Sequence, residues 1–204
     1  MRLFVGFLCL AMTLANPAIA RMEGCSKAQE ASVKTAVAVA KRLAVTAAAN
    51  VRDDEHYSKW FGNYSPAAAE TVRANFKSIA RAIRTGGVTA RCGRVGREDC
   101  EIETYAYVFS DEAFLVHICP PFFDQPHMRT FNPGTEDGEN GSKGGTIVHE
   151  ISHFVVVAQT EDHCYSRSEC SDMAIRDPNR AIENADSYQY FAEDIWLRWI
   201  ETEK

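Results

Sequence analysis

His149-Glu150-Ile151-Ser152-His153 is the stretch that decides the fold, because it places two imidazoles four residues apart with a glutamate between them. Residues four apart share one face of a helix, so both rings can converge on one metal ion. The pattern is typical of zinc-dependent hydrolysis, in which the glutamate takes a proton from an activated water. We therefore predict that His149 and His153 bind zinc and that Glu150 is the general base.

A catalytic zinc needs a third protein ligand, and the residues leave the choice open. The metzincin pattern requires glycine and histidine at fixed steps after the second histidine, where this chain has Val156 and Gln159, so that pattern fails. A later helix could supply Glu183, as in a thermolysin-like site. Alternatively, a tight turn directly after the motif could bring Asp162 back to the metal.

Apolar periodicity predicts helices on both sides of the motif. A stripe at three- and four-residue steps indicates a buried helix over about 25–50. Ser65-Pro66 is typical of a helix start, and the apolar spacing continues that helix as far as the glycines at 86–87. We expect the motif helix at about 145–158 and a last helix at 179–200, with a cysteine-bearing loop between them.

The middle of the chain changes to the two-residue period of strands. Residues 104–109 alternate, a second apolar run spans 114–119, and the polar residues 110–113 suit the turn of a hairpin. The stretch 120–143 is rich in proline and glycine and is expected to be a long loop leading into the motif. Together these elements predict an α+β fold, a single mostly helical domain with a small hairpin-based sheet.

Residues 1–20 have the three parts of a secretory signal peptide: a basic start, an apolar run and the small-residue site Ala18-Ile19-Ala20. The apolar run is too short for a comfortable membrane span. We therefore expect an exported domain over 21–204 with no stable membrane insertion. The net charge of −6, with no basic stripe to offset it, argues against nucleic acid as a partner.

The cysteines predict disulfide bonds, because an even number in an exported chain is typical of them. Removing Cys9 with the signal peptide leaves Cys25, Cys92, Cys100, Cys119, Cys164 and Cys170. No two cysteines are spaced as CxxC, which argues against a cysteine-zinc site. The sequence predicts three disulfides and by itself leaves their pairing open.

The segment after the motif resembles the aspzincin metallopeptidases, and especially their peptidyl-Lys metalloendopeptidase branch. That family follows the motif with a Gly-Thr-x-Asp turn and then a tyrosine; Thr160, Asp162 and Tyr165 stand in register here. The family's two glycines in this region are Gln159 and Ser166 in this chain. The likeness covers nearly the whole mature chain and includes Trp60-Phe61-Gly62-Asn63-Tyr64, Thr104-Tyr105-Ala106-Tyr107-Val108, Asp177-Pro178 and Asn184-Ala185-Asp186-Ser187-Tyr188-Gln189-Tyr190-Phe191.

The resemblance implies a zincin-like fold and one zinc ion per chain, bound by the two histidines and Asp162, which ranks Asp162 above Glu183. It also implies that the Tyr165 hydroxyl stabilises the oxyanion of the reaction. The corresponding expectations are hydrolysis of internal peptide bonds in protein or peptide substrates by a secreted, monomeric enzyme. Two rivals remain: a thermolysin-like peptidase using Glu183, and a secreted binding or effector protein with little catalysis on the same fold.

The resemblance further implies an acidic pocket that takes a lysine on the carboxyl side of the cut bond. The two pocket positions correspond to Asp186 and Gln189, so one of the two carboxylates is a neutral amide here. On a helix these positions share a face. We therefore predict a preference for lysine with more tolerance of arginine and other residues. The disulfide pairs implied by the resemblance are Cys25–Cys92 and Cys100–Cys119, which leaves Cys164 with Cys170.

Overall fold

The computed structural model describes residues 21–85, 87–96 and 100–202; the predicted signal peptide at 1–20 lies outside this range. The described residues form β1 (Arg21–Glu23), α1 (Lys27–Asn50), α2 (Glu55–Phe61), α3 (Pro66–Thr85), β2 (Thr89–Cys92), β3 (Ala106–Tyr107), β4 (Leu115–Ile118), α4 (Lys143–His153), α5 (Arg167–Arg176), α6 (Pro178–Ile182) and α7 (Ala185–Thr202). Short 3-10 turns at Pro120–Phe123 and Glu136–Gly138 lie within the predicted long loop. The predicted α+β class is confirmed.

The motif helix α4 lies in the interior, packed against α1 and α7. Helix α1 begins with a capping box, in which the Ser26 hydroxyl accepts from the Gln29 N–H and the Gln29 side chain accepts from the Ser26 N–H. Small residues then allow close helix packing: a side chain at Gly144 would come within 2.6 Å of Val39 Cγ1. As a result, every residue of α4 from 143 to 152 is buried.

The sheet has the order β1-β2-β4-β3 and is mixed. Strands β3 and β4 pair antiparallel, with Ala106 opposite Ile118, as the predicted hairpin requires. Strand β2 pairs in parallel with both β1 and β4. These parallel pairs were not predicted, since they join segments far apart in the sequence. The short β3 forms one edge of the sheet.

Three predicted boundaries differ from the structure in the second half of the chain. Helix α4 ends at His153 rather than near 158, because the backbone of Phe154 turns out of the helix at ψ 130°. The predicted cysteine-bearing loop contains α5, whose first turn is capped by Ser166. The predicted last helix is interrupted between α6 and α7, where the carbonyl of Glu183 accepts from the N–H of Glu161.

The structure confirms all three disulfide pairs, Cys25–Cys92, Cys100–Cys119 and Cys164–Cys170. The first joins the segment before α1 to the end of β2. The second joins the end of β4 to a residue preceding β3. The third joins Cys164, in the segment after the motif helix, to Cys170 within α5, at a sequence separation of 6. Cross-links of this kind stabilise a fold mainly by restricting the unfolded chain.

An aromatic cluster joins α7 to α2 and α3. Phe61 and Phe76 each pack against both Tyr188 and Phe191, with ring centroids 5.1–5.6 Å apart. All four rings are fully buried. Tilted and edge-on ring pairs at these distances add to the stabilisation from burial itself. The first half of α7 is thereby fixed relative to α2 and α3. Among the described residues, no helix is long and apolar enough to cross a membrane.

Candidate functional site

Helix α4 turns the two motif histidines toward one point. Its first turn is capped by the Ser142 hydroxyl, which accepts from the Gly145 N–H and donates to the buried Glu193 carboxylate. Further along the helix, the Nε2 atoms of His149 and His153 lie 3.0 Å apart. The predicted convergence of the two imidazoles is therefore present in the structure.

The other ring nitrogen of each histidine has a partner outside the helix. His149 Nδ1 lies 2.7 Å from an Asp186 carboxylate oxygen, and His153 Nδ1 lies 2.8 Å from the Thr160 carbonyl. Both acceptors favour the tautomer that carries its proton on Nδ1, because an oxygen there can only accept. In the neutral form of each ring, Nε2 then has a lone pair that can bind a metal ion.

Asp162 brings a third donor atom to the same point. Its Oδ1 lies 3.3 Å from His149 Nε2 and 3.5 Å from His153 Nε2. A tetrahedral zinc site with bonds of about 2.0–2.1 Å separates its ligand atoms by about 3.3 Å, so the three donors fit zinc. Burial raises the pKa of Asp162, but the neighbouring imidazoles outweigh that effect and lower it below its usual value. The carboxylate is therefore ionised, as a ligand must be.

The turn that carries Asp162 and the segment that precedes α5 each contain a non-glycine residue with positive φ. Gln159 has φ 51° and Ser166 has φ 71°, both in the region that favours glycine. Thr160 fastens the turn to α4, with its hydroxyl 2.5 Å from the Ser152 hydroxyl and its N–H donating to the Ser152 carbonyl.

Glu183, the alternative third ligand, is not at the site. Its side chain is exposed, and it does not line the cleft that contains the two histidines. Its backbone carbonyl instead accepts from the N–H of Glu161, which precedes Asp162. The structure therefore brings Asp162, and not Glu183, to the motif histidines.

Glu150 is buried beside the histidine pair, and its carboxylate lies within 4.8 Å of both of their ligand nitrogens. Those three residues could themselves hold a cation, but Asp162 gives a tighter triangle with the histidines. Burial raises the pKa of Glu150 to about 7. A carboxyl group with that pKa can accept and release a proton near neutral pH.

Tyr165 lies at the rim of the same cleft, with its side chain largely exposed. Its hydroxyl interacts with the Asp162 carboxylate, and burial together with that negative charge raises the pKa of Tyr165 to about 12. The phenol is therefore protonated at neutral pH and can donate a hydrogen bond. This is the state that stabilisation of a developing negative charge requires.

The two predicted pocket residues also line the cleft, and both are buried. Asp186 is more engaged than the sequence predicted, since one oxygen contacts His149 Nδ1 and the other accepts from the Tyr190 hydroxyl. This contact raises the pKa of His149 well above its usual value, against the effect of its burial. Gln189 donates to the carbonyl of Asn140 at 3.2 Å.

The cleft has a volume of about 1100 Å³ and is open along the motif helix. Its lining includes residues 102–111, which contain the edge strand β3, together with Asp162, Tyr165 and Asp186. Sequence reasoning missed the contacts by which Thr160 and Asp186 hold the two histidines. A contact between Asp186 and His149 joins residues 37 positions apart, so no local pattern could indicate it.

A model of the aspzincin family, described as lysine-specific metallo-endopeptidase, matches residues 46–193. An extracellular protease of Aeromonas hydrophila is 33% identical over 83% of this chain and 46% of its own length. A peptidyl-Lys metalloendopeptidase of Armillaria mellea is 30% identical over 84% of this chain and 45% of its own. The chain thus spans about half the length of these two relatives. A solved zinc peptidase from Grifola frondosa has a TM-score of 0.70 and 26% identity, over 83% of this chain and 97% of that one.

Proposed function

The chain belongs to the aspzincin family of metallopeptidases, and from that premise we propose that it is a zinc-dependent endopeptidase acting on proteins and peptides. The observation that carries the proposal is the triangle of His149 Nε2, His153 Nε2 and Asp162 Oδ1, with sides of 3.0–3.5 Å. These are the proposed zinc ligands. When bound, zinc supplies a Lewis acid that activates water and polarises the carbonyl of the bond to be cut.

Glu150 is the proposed general base. Its burial and its pKa of about 7 suit a carboxylate that takes the proton of the attacking water and passes it to the leaving amine. Tyr165 is the proposed oxyanion donor, since its protonated hydroxyl lies beside Asp162 at the rim of the cleft. Hydrogen bonding to charge that develops only in the transition state accelerates the chemical step.

We further propose a preference for lysine on the carboxyl side of the cut bond, with arginine tolerated. Asp186 supplies the one carboxylate at the two pocket positions and contacts both His149 and Tyr190, so the pocket keeps an acidic group that can attract a cation. Gln189 adds no charge, and its amide is occupied by the carbonyl of Asn140. One carboxylate offsets less of the desolvation cost of the lysine ammonium than two would. We therefore expect weaker selectivity for lysine than a pocket with two carboxylates would give.

Export follows as part of the same proposal. The three disulfides form and persist in oxidising compartments. Residues 1–20 carry the pattern of a signal peptide, with cleavage proposed after Ala20. The substrates would then be proteins or peptides outside the cytoplasm, cut by a monomer.

Mapping of cleavage sites in a denatured protein mixture by mass spectrometry tests the proposal. Cleavage should stop with a strong chelator, return with zinc, and be enriched in lysine after the cut bond. Gln189→Glu should sharpen that enrichment, because it adds a second carboxylate to the pocket. Cuts without enrichment of basic residues would refute the pocket, and bound zinc without cleavage of any protein would favour the binding-protein alternative.

A further inference from the structure

Asn184 lies in the break between α6 and α7, and its side chain is completely buried. Its amide oxygen accepts from two backbone N–H groups, those of His163 at 2.8 Å and Cys164 at 3.2 Å. Its amide nitrogen donates to the Ser187 hydroxyl at 3.3 Å and to Cys170 Sγ at 3.7 Å. Both ends of the amide are therefore used, and only an amide offers an acceptor and donors in this arrangement.

The backbone on either side of Asn184 also forms hydrogen bonds to Glu161, at the N-terminal end of the segment that contains Asp162. The Glu161 N–H donates to the Glu183 carbonyl at 2.8 Å, and the Ala185 N–H donates to the Glu161 carbonyl at 3.0 Å. These two bonds and the two that the Asn184 side-chain oxygen accepts join residues 161–164 to residues 183–185, and we call the two segments together the clasp. Two bonds lie on the N-terminal side of Asp162 and two on its C-terminal side.

Asp162 depends on this clasp for its position. It belongs to neither a helix nor a strand, so no regular hydrogen-bond ladder fixes its backbone. The histidine Nε2 atoms, by contrast, are fixed by α4 and by the acceptors on Nδ1. The distances of 3.3 and 3.5 Å from Asp162 Oδ1 to those nitrogens therefore depend on where the clasp, together with the hydrogen bonds of Thr160 to α4, holds the chain.

We propose that Asn184 is a positioning residue for the third metal ligand: its buried amide holds the N–H groups of His163 and Cys164 and so aims Asp162 at the histidine pair. The inference rests on the proposed function through the ligand role of Asp162. Mutation of a group that orients a metal ligand without touching the metal typically lowers metal affinity by about tenfold to a hundredfold. Asn184 has that relation to Asp162, although it acts through the backbone.

The alternative is that Asn184 only stabilises the fold by filling the core and by pairing with the buried polar groups around it. Two substitutions of similar volume separate these roles. Asn184→Leu removes the acceptor, whereas Asn184→Asp keeps an oxygen for the two N–H groups. Ser187→Ala is a matched control, because it removes a partner of the amide nitrogen and leaves the clasp intact.

The experiment is a zinc-affinity titration against competing chelators, with Co²⁺ absorption spectra as a second measure of ligand geometry. Asn184→Leu should bind zinc about tenfold to a hundredfold more weakly and alter the Co²⁺ spectrum. Asn184→Asp and Ser187→Ala should stay within about twofold of the parent. Should Asn184→Leu fail to fold, Asn184→Ser replaces it, since a shorter hydroxyl cannot span both N–H groups.

The same substitution in an Asp162→Ala background identifies the route of the effect. If Asn184 acts through Asp162, Asn184→Leu should weaken zinc binding no further in that background. Parent-like affinity of Asn184→Leu, or an equal loss in both backgrounds, would overturn the inference while leaving the proposed function intact. If Asp162→Ala alone binds zinc as the parent does, the proposed ligand set itself fails, and the positioning role with it.

Discussion

The two halves of the proposed metal site are built in different ways. On α4, two ligands four residues apart share a face through helix geometry alone. Asp162 lies on an irregular segment that is held by hydrogen bonds to a residue 21 positions further along the chain. The helix half carries its geometry in its own backbone, whereas the clasp half takes it from tertiary contacts. Substitutions in the two halves should therefore differ in what they affect, turnover, zinc affinity or stability.

The largest expected effect is a change of chemistry on the helix half. Glu150→Gln should lower the turnover rate by roughly 10²–10⁴-fold, because an amide cannot accept the proton of the attacking water. Bound zinc should remain, since the ligand triangle is unchanged. Initial rates on a protein substrate and metal analysis measure both quantities, with the exposed Glu161→Gln as control. Loss of zinc in Glu150→Gln would instead make Glu150 a ligand.

The matching change on the clasp half is Tyr165→Phe. It should lower kcat by about a hundredfold with little change in KM, because the hydroxyl acts on charge that exists only in the transition state. Steady-state kinetics give both values. Tyr64→Phe is a suitable control, since Tyr64 is partly buried, packs against the core residue Tyr57 and does not line the cleft. An unchanged kcat would leave Tyr165 as a rim residue without a catalytic role.

Zinc affinity should fall as the pH is lowered, and the helix half should dominate that dependence. Asp186 and Asp162 raise the pKa of His149 well above its usual value in the metal-free protein, against the effect of burial. Below that pKa a proton occupies the imidazole and must leave before zinc binds, so affinity should drop by about tenfold per pH unit for each such proton. Chelator competition at several pH values measures it. A zinc affinity that does not change between about pH 6 and 8 would contradict the raised pKa of His149.

The smallest expected effect is a relief of backbone strain in the turn before the clasp. Gln159 has φ 51°, so Gln159→Gly should raise the free energy of unfolding by up to about 1 kcal/mol. Ser166→Gly makes the comparison sharper, because Ser166 also has positive φ but its hydroxyl caps α5. Losing that cap costs about 1 kcal/mol, which offsets the relief. Equal gains in both variants under denaturant unfolding would contradict this account of the turn.

The sequence predicted the parts of the site that depend on local spacing. The two histidines four apart, the Ser65-Pro66 start of α3 and the antiparallel hairpin all follow from short-range rules. The resemblance then supplied Asp162 and the disulfide pairs. Neither the local spacing nor the resemblance indicated the break at Glu183. There the Glu183 carbonyl accepts from the N–H of Glu161, a residue distant in the sequence.

The same limit explains why the roles of two buried polar side chains were missed. Asp186 was predicted as a pocket carboxylate, yet its contact with His149 exists only once α7 packs against α4. Asn184 belongs to a quoted stretch of the sequence, but nothing in its neighbours indicates that it binds the backbone after Asp162. Buried polar groups are satisfied by whatever the fold brings to them, so their roles become visible only in the structure.

The central claim is that Asp162 completes the zinc site, and metal analysis of two variants tests it most directly. The parent should carry about one zinc ion per chain, since three protein ligands make one catalytic site. Asp162→Ala should lose most of that zinc after dialysis, whereas Glu183→Ala should retain it, because Glu183 is exposed and away from the cleft. Zinc retained by Asp162→Ala and lost by Glu183→Ala would contradict the account.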